Sequence, residues 1–393
     1  MRPAGTTVDT AARGFRPAWV TVDLDAIGDN VRGLAALAAP AAVLATVKAD
    51  AYGHGAVPVA RAALGAGATW LGVAFVEEGV ELRAAGIDAP TLLLSEPPPA
   101  AAATVVAHRL TPFVYTETGI DALAVAAAEA GAPLAVHLKV DTGMHRVGCA
   151  PTAAVGLATR IAGHPALRLE GLATHLAVAD EVGHAYTDAQ LDAFDVVVGA
   201  VTEAVGRPPV VHAANSAGAL AHPRARFDLV RVGITMYGIA PAPEVADAVA
   251  LRPALSLHAR VSFVKRLAAG ERVSYGLRYE LAQPARVATV PVGYADGVPR
   301  GLGAVSGVVL VGGRRCPIAG TVTMDQLLVD VGDDDVRVDD DVVLLGTQGA
   351  ETIGAQEWAD RLDTIPYEVV TRLGGRLPRR YVRGGTVIDG GDR

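Results

Sequence analysis

Short apolar runs alternate with helix-length segments between residues 41 and about 235, and this alternation constrains the fold more than any other feature of the chain. Runs of this kind, bounded by glycine, proline or polar residues, are typical of parallel strands buried on both faces. Eight runs alternating with helices predict an α/β fold with a closed (β/α)8 barrel of the TIM type, although an open doubly wound sheet also fits the alternation. The runs are AAVLATV (41–47), WLGVAF (70–75), TLLLS (91–95), PFVY (112–115), LAVHLKV (134–140), LRLEGLATH (167–175), PVVHA (209–213) and FDLVRV (227–232).

The pattern changes after about residue 245, where the helical periodicity ends. Alternating segments separated by turn glycines and aspartates follow, at 259–267, 285–295, 306–313 and 341–346. They predict a C-terminal, mainly antiparallel β-domain. We therefore expect a disordered tail over 1–15, a barrel over 16–250 and a β-domain over 251–393, with the boundary between 245 and 258. The segment near 18–24 also has the pattern of a strand, and it fits either domain.

Composition excludes several classes of function. The net charge of −8 and the isoelectric point near 5.7 argue against a nucleic-acid partner. No run of about 20 apolar residues is present, so no membrane span is expected. The first residues lack the apolar core of a signal peptide, and we expect a cytoplasmic protein. With two cysteines and no HExxH, GxSxG or GKS/T motif, the sequence predicts no metal site, no nucleophile elbow and no phosphate loop of the Walker type.

Lysine is scarce, and two of the three lysines stand where barrel strands end. Lys48 follows the first apolar run, Lys139 ends the fifth, and Lys265 lies in the predicted β-domain. Active sites of TIM barrels lie at the carboxyl ends of the strands, and a buried ammonium needs a partner or a covalent role. Lys48 therefore predicts a Schiff base with pyridoxal 5′-phosphate (PLP). The alternative is a lysine that extends along the surface to solvent.

Residues after the seventh and eighth strands predict a phosphate site. Ser216 opens a predicted helix after the seventh strand, and Gly233 with Ile234 follows the eighth, which is where TIM barrels often bind phosphate. Tyr52 lies in the glycine-rich turn after Lys48 and offers a hydroxyl. The alternative for Asn215 and Ser216 is a simple helix N-cap, and the two roles are compatible.

Many blocks of the sequence resemble the alanine racemase family. AVLATVKADAYGHG is similar to the family's PLP-lysine signature, and the resemblance extends from VDLDAI (22–27) to TIPYEV (364–369) and LPRRY. The other matching blocks are HLKVDTGMHRVG, GLATHLAVAD, HAANSAGAL, RVGITMYGIAP, VSYG, VPVGYADGVPR and CPIAGTVTMDQ. The resemblance implies an N-terminal (β/α)8 barrel, a β-rich C-terminal domain, and a head-to-tail homodimer with shared active sites.

The resemblance also implies roles for individual residues. Lys48 would hold PLP and exchange the α-proton on the D side, whereas Tyr275 of the other subunit would act on the L side with His175 as its partner. Without the resemblance, Tyr275 would be a strand aromatic packed on a core. Arg231 would face the pyridine nitrogen with His212 orienting it, and a donor-only arginine there leaves that nitrogen unprotonated and limits transamination.

Further positions match the family's cofactor and substrate residues. Arg146 would lie near the cofactor O3′ and the substrate carboxylate, and Lys139 would be carbamylated and hold Arg146. The alternative for Lys139 is an unmodified lysine paired with a carboxylate such as Asp141. The phosphate cradle implied is Tyr52, Asn215, Ser216, Gly233, Ile234 and Tyr367, and the substrate site or its entrance is lined by Tyr294, Arg300, Met324 and Asp325. His145 and Thr323 depart from the commoner Gly and Cys.

The function implied is racemisation of alanine by two bases, which supplies D-alanine for peptidoglycan. Three alternatives remain open from the sequence. A broad-specificity or serine racemase of the same family differs too little in its pocket to be distinguished. An amino-acid decarboxylase of similar architecture would release CO2 and would need no tyrosine base. A PLP carrier made of the barrel alone conflicts with the long C-terminal part that contains Tyr275.

Overall fold

The computed structural model describes residues 15–388, which form two compact units. One unit, the barrel unit, runs from Leu24 to Ala254. The other, the β-unit, comprises the described residues before Leu24 and those from Leu255 onward. The predicted tail lies outside the described residues except for Phe15. No helix in the range 15–388 is long and apolar enough to cross a membrane.

The barrel unit contains eight parallel strands, and the predicted barrel is confirmed. Strands two to seven each pair in parallel with the strand before, and strand eight pairs in parallel with strand one. Between strands seven and eight, the Asp228 N–H donates to Val211 O, and the Arg231 N–H donates to Ala214 O. Strands one to eight are Ala42–Thr46, Trp70–Val73, Thr91–Leu93, Thr111–Val114, Leu134–Lys139, Leu167–Ala173, Val210–His212 and Leu229–Val232.

Helices follow these strands because the apolar faces of the intervening segments need a partner layer. The interior of the barrel is filled by a cluster that includes Leu44, Leu92, Phe113 and Leu229, all of them 1% exposed or less. The strand ends that carry polar side chains are therefore held on a packed core. The helices of this unit are Leu24–Ala38, Ala56–Gly65, Val76–Ala84, Ala102–Ala107, Glu117–Ala130, Ala154–Ala162, Ala185–Val205 and Ser216–Ala221.

The β-unit is built mainly from antiparallel strands, as predicted. Its largest sheet has the order Arg314–Pro317, Val308–Val311, Asp341–Gln348, Leu255–Arg260, Ala18–Asp23, Arg379–Arg383 and Thr386–Ile388, with Glu351–Ile353 also paired to Asp341–Gln348. A second sheet contains Phe263–Leu267, Ala285–Val290 and Leu327–Gly332, and a short hairpin pairs Arg272–Val273 with Tyr279–Glu280. Two helices, Ala355–Leu362 and Pro366–Thr371, complete the unit.

The first described strand belongs to the β-unit and not to the barrel. Ala18–Asp23 pairs antiparallel with Leu255–Arg260 and parallel with Arg379–Arg383. Its alternating burial fits a sheet with one covered face, whereas strands inside a parallel barrel are buried on both faces. The sequence left the partner of this segment open, and the pairing assigns it to the C-terminal sheet.

Candidate active site

Lys48 follows strand one at the start of a left-handed turn. Residues 49–52 all have φ between 52 and 53°, a conformation that costs L-residues roughly 1–2 kcal/mol each. Three contacts hold the turn: the Ala49 N–H donates to Glu78 Oε1 at 2.6 Å, the Ala56 N–H donates to Asp50 Oδ1 at 2.7 Å, and the Ala51 N–H donates to Val47 O at 2.8 Å. A conformation this unfavourable, held on several sides, is typical of functional sites.

The turn brings Tyr52 next to the backbone that follows strand eight. A β-carbon added at Gly233 would lie 2.6 Å from the Tyr52 hydroxyl oxygen, so only glycine allows this approach. Burial raises the pKa of Tyr52 to about 12, which keeps its hydroxyl protonated. Ile234 comes next along the chain and is fully buried. A hydroxyl donor and the main chain of strand eight's end therefore form one side of a cradle.

Ser216 provides a second side of this cradle. Its Oγ accepts hydrogen bonds from the Gly233 N–H at 2.9 Å and from the Thr235 hydroxyl at 3.1 Å. Because both bonds are accepted, the proton of Ser216 remains for donation to a further acceptor. Asn215 is the N-cap of the helix, and its Oδ1 accepts from the Gly218 N–H at 2.9 Å.

Arg231 is buried inside the barrel and is held by four acceptors. Its Nη2 lies 2.9 Å from the carbonyl oxygens of Thr174 and Ala213 and 3.0 Å from His175 Nδ1, so its two N–H groups are shared among three acceptors. Its Nη1 donates to His212 Nδ1 at 2.9 Å. Burial lowers the pKa of Arg231 to about 10, which leaves it protonated at neutral pH. The guanidinium is thus a fixed, charged donor.

His175 is neutral and has a defined tautomer. Burial is the main cause that lowers its pKa well below the usual value, and the charge of Arg231 adds to it. Since arginine only donates, Nδ1 of His175 is an acceptor, and Nε2 carries the proton. The side chain of Gln190 fixes the adjacent main chain, because its amide donates to His175 O at 3.1 Å and accepts from the Ala177 N–H at 2.8 Å. His175 is therefore a hydrogen-bond donor at Nε2.

Four cations meet at this end of the barrel: Lys48, Lys139, Arg146 and Arg231. Burial, followed by Arg231 and Arg146, lowers the pKa of Lys139 to about 7. The pKa of Lys48 is lowered first by burial and then by Arg146. Within the described residues, no carboxylate lies in ion-pair contact with Lys139, and the Asp141 carboxylate accepts from the N–H groups of Gly143 and His145. Such a group favours an anionic occupant.

Tyr275 lies at the tip of the short hairpin in the β-unit. Its side chain is 72% exposed in the single chain. The flanking Ser274 has φ 64°, and this strained residue is held by a hydrogen bond from its Oγ to Thr321 O at 2.6 Å. The Thr321 hydroxyl in turn donates to Tyr275 O at 2.9 Å. The hairpin thus presents a phenol on a fixed main chain.

The remaining predicted residues also lie in the β-unit. Tyr294 and Met324 are adjacent, because the Tyr294 N–H donates to Thr323 O and the Ala295 N–H to Met324 O, both at 3.0 Å. Asp325 accepts from Arg376 at 2.7 Å. Tyr294 and Arg300 line a cavity of about 540 Å³, while Tyr367 is half-buried on the helix Pro366–Thr371. The structure therefore groups the predicted residues into a barrel cluster and a β-unit cluster.

Some polar residues of the barrel interior were not found from the sequence. His137 is fully buried, and its Nδ1 lies 2.9 Å from His212 Nε2. Its other ring nitrogen lies 3.5 Å from Glu170 Oε2. The available signal was the position of His137 two residues before Lys139, which places both side chains on one face of strand five.

Comparisons with known proteins agree with this geometry. The profile described as "Alanine racemase, N-terminal domain" matches residues 22–241, and "Alanine racemase, C-terminal domain" matches residues 254–381. The chain belongs to the alanine racemase family. This confirms the resemblance found in the sequence.

Individual alanine racemases are similar over nearly the whole chain. The alanine racemase of Symbiobacterium thermophilum is 48% identical over 369 residues, covering 94% of this chain and 98% of the relative. The crystal structure of alanine racemase from D-cycloserine producing Streptomyces lavendulae has a TM-score of 0.90 and 40% identity, covering 95% of this chain and 98% of that one. The crystal structure of alanine racemase from Bacillus anthracis with bound L-Ala-P has a TM-score of 0.90 and 39% identity, covering 96% of this chain and 98% of that one.

Proposed function

We propose that this chain racemises alanine with PLP as its cofactor and with Lys48 and Tyr275 as the two bases. The observation that carries the proposal is the buried Arg231, a protonated donor fixed by four acceptors at the end of the barrel that also carries Lys48. A donor of fixed direction and charge at this depth suits the ring nitrogen of a bound heterocycle. Membership of the alanine racemase family supports the choice of reaction.

The residues of the barrel cluster fit PLP. The hydroxyls of Tyr52 and Ser216 are donors suited to a phosphate, and both lie beside the main chain of Gly233, where only a residue without a β-carbon fits. Lys48 supplies the amine that would hold the cofactor, and its lowered pKa increases the neutral, nucleophilic fraction. When bound, PLP acts as an electron sink that makes the α-hydrogen of an attached amino acid acidic.

Racemisation needs a proton donor and acceptor on each face of the substrate Cα. We assign the D face to Lys48 Nζ and the L face to Tyr275 Oη. A phenol is a weak base at neutral pH, so its deprotonated form needs a donor nearby. His175 carries its proton on Nε2 because Arg231 occupies Nδ1, and we infer that this N–H donates to Tyr275 Oη. The phenolate would then accept the α-proton from L-alanine and return it in the reverse direction.

Arg231 and His212 would keep the ring nitrogen unprotonated, which limits transamination. Arg146 would bind the substrate carboxylate, since it is a cation beside both Lys48 and Lys139. A neutral Lys139 amine reacts with CO2 to give a carbamate and a proton, and the anion formed would pair with Arg146. The pKa near 7 makes this amine substantially neutral at physiological pH.

Tyr275 comes from the β-unit, and we propose that a second copy of the chain supplies it to each barrel. Its 72% exposure and its place at a hairpin tip suit a residue that completes the site of another subunit. Tyr294, Arg300, Met324 and Asp325 would line the substrate site or its entrance, and Tyr367 would contribute to the phosphate cradle. The product, D-alanine, would serve peptidoglycan synthesis.

Substitution of Lys48 tests the cofactor assignment. The purified protein with PLP should show the absorbance of a Schiff base at the edge of the visible range, and Lys48→Ala should lose both this band and racemase activity. Lys265→Ala is the matched control, because Lys265 is an exposed lysine of the β-unit and should keep both. The assignment is refuted by a band that persists in Lys48→Ala. Equal rates on L-serine and L-alanine would instead favour a broad-specificity enzyme, and CO2 release a decarboxylase.

A further inference from the structure

A line of polar side chains runs through the barrel from Arg231 to Glu170. Arg231 Nη1 lies 2.9 Å from His212 Nδ1, and His212 Nε2 lies 2.9 Å from His137 Nδ1. His137 Nε2 then lies 3.5 Å from Glu170 Oε2. Arg231, His212 and His137 are 5% exposed or less, so the line is shielded from solvent up to its carboxylate end.

Simple donor rules fix the protons along this line. Arginine only donates, so His212 Nδ1 must accept and its single proton lies on Nε2. That proton is donated to His137 Nδ1, and the proton of His137 therefore lies on Nε2, facing Glu170. Burial is the first cause that lowers the pKa of both histidines, so both rings are neutral. One arrangement of protons satisfies both hydrogen bonds, and it directs the last N–H towards the Glu170 carboxylate, which lies at ion-pair distance.

The strand pairing is built around this line. Strands five and six pair in register as Val136 with Leu169 and then His137 with Gly171, so Glu170 is the extra residue of a β-bulge. Bulges redirect a side chain, and this one leaves the Glu170 carboxylate beside the buried His137 ring. A β-carbon at Gly171 would lie 2.3 Å from His137 Nδ1, so position 171 must be glycine for the ring to stay where it is.

Aromatic rings hold the two imidazoles in place. Phe113 is stacked on His212 with ring centroids 5.8 Å apart, and Trp70 lies 5.4 Å from the His137 ring. Rotation of either ring would break a hydrogen bond between buried groups and leave them unsatisfied. The orientation of Arg231 therefore depends on groups that do not touch it.

We propose that His137 and Glu170 are positioning residues for the racemase reaction, acting through His212 to fix the direction and charge of the Arg231 guanidinium. This inference rests on the proposed function, since it assigns Arg231 to the ring nitrogen of PLP. Glu170 supplies the side-chain oxygen that faces the His137 Nε2–H at the end of the line. Its second partner is Arg168 at 2.8 Å, whose side chain is 61% exposed.

The proton arrangement is testable in the apo-protein, independently of activity. Long-range proton–nitrogen correlation spectra of protein with 15N-labelled histidine report which ring nitrogen carries each proton. We expect Nε2–H forms for both His137 and His212, with both protons protected from exchange. Glu170→Gln keeps an acceptor and should preserve both signals. Glu170→Ala, or Glu170→Leu if alanine prevents folding, should lose protection of the His137 proton. Arg168→Gln is the matched control and should leave both signals unchanged.

A second measurement uses the PLP-loaded enzyme. Each abortive transamination converts one alanine and one PLP into pyruvate and pyridoxamine phosphate. If Arg231 is less firmly held in Glu170→Ala, the pyruvate formed per racemisation event should rise about tenfold. The kcat for racemisation should fall about tenfold, which is the lower end of the range for losing a supporting side chain behind a site residue. Glu170→Gln should restore both values. Changed stability alone would not alter this ratio.

The outcomes separate the two proposals. A proton on Nδ1 of His212 in the wild-type apo-protein overturns the positioning role, as does a folded Glu170→Ala or Glu170→Leu with wild-type ring signals and a wild-type pyruvate ratio. Protein that keeps the expected ring protons but does not racemise alanine when loaded with PLP contradicts the proposed function instead. In that case the arrangement of protons from Arg231 to Glu170 is retained, and its role in racemisation is rejected.

Discussion

Lys139 lies in surroundings that do not suit a charged side chain. It is 5% exposed, and its neighbours Lys48, Arg146 and Arg231 are all cations. Its Nζ lies 5.1 Å from the centre of the Phe113 ring, a contact that offsets only part of the loss of water. Lys139 is therefore repelled by the neighbouring cations. Loss of its positive charge, or replacement of that charge by a negative one, would relieve the repulsion.

We therefore predict a carbamate on Lys139 that depends on pH. With 13C-labelled bicarbonate, a carbamate signal should appear in the 13C spectrum and grow as the pH rises through about 7, because only the neutral amine reacts. Lys139→Met should lack the signal, and it should retain fold and PLP binding. A signal that survives in Lys139→Met, or that is larger below the pKa than above it, contradicts the assignment.

The candidate site residues of the barrel differ in how far the sequence could reveal them. Lys48 and Lys139 could be placed because lysine is scarce and strand ends can be read from apolar runs. Gly233 and Ser216 followed from their places after strands eight and seven. His137 and Glu170 were missed because their pairing depends on a β-bulge, and alternation in one strand contains no information on the register of two.

At the scale of the element, strands five and six are shaped by the glycine opposite His137. Gly171→Ala should destabilise the fold by about 1–3 kcal/mol, because the new methyl group would overlap the buried imidazole. Gly199→Ala is the matched control: nothing lies within 4 Å of a β-carbon there, and alanine in a helix should stabilise by about 0.5–1 kcal/mol. Chemical denaturation measures both, and equal effects of the two substitutions would contradict the packing argument.

The eight barrel strands could be predicted as elements because each is buried on both faces and reads as a continuous apolar run. Ala18–Asp23 could be predicted as a strand, but not assigned to a sheet. Its partners Leu255–Arg260 and Arg379–Arg383 lie far along the chain, and an alternating pattern defines a buried face without naming the neighbouring strand.

At the scale of the whole molecule, the proposed function needs residues from both units. The barrel cluster contains one proposed base, Lys48, and the β-unit contains the other, Tyr275, which is exposed in the single chain. A head-to-tail dimer with two-fold symmetry would combine them twice, once at each barrel.

Mixing two inactive variants tests the shared site. Lys48→Ala and Tyr275→Phe should each be inactive as pure proteins. After unfolding and refolding together, half of the dimers are mixed, and each mixed dimer has one site with both bases, so about a quarter of wild-type activity should return. Lys48→Ala mixed with a Lys48→Ala/Tyr275→Phe double variant is the control and should stay inactive. A mixture that recovers no activity while forming mixed dimers contradicts sharing between subunits.

Deuterium exchange at Cα is the most direct test of two-base racemisation of alanine. In buffered D2O, the PLP-loaded wild-type protein should convert L-alanine to D-alanine that carries deuterium at Cα, without release of CO2. Tyr275→Phe should still exchange the α-hydrogen of D-alanine through Lys48, with retention of configuration, and should leave L-alanine unlabelled. If Tyr275→Phe racemises at the wild-type rate, or the wild-type protein leaves both enantiomers unlabelled and unconverted, the account is wrong.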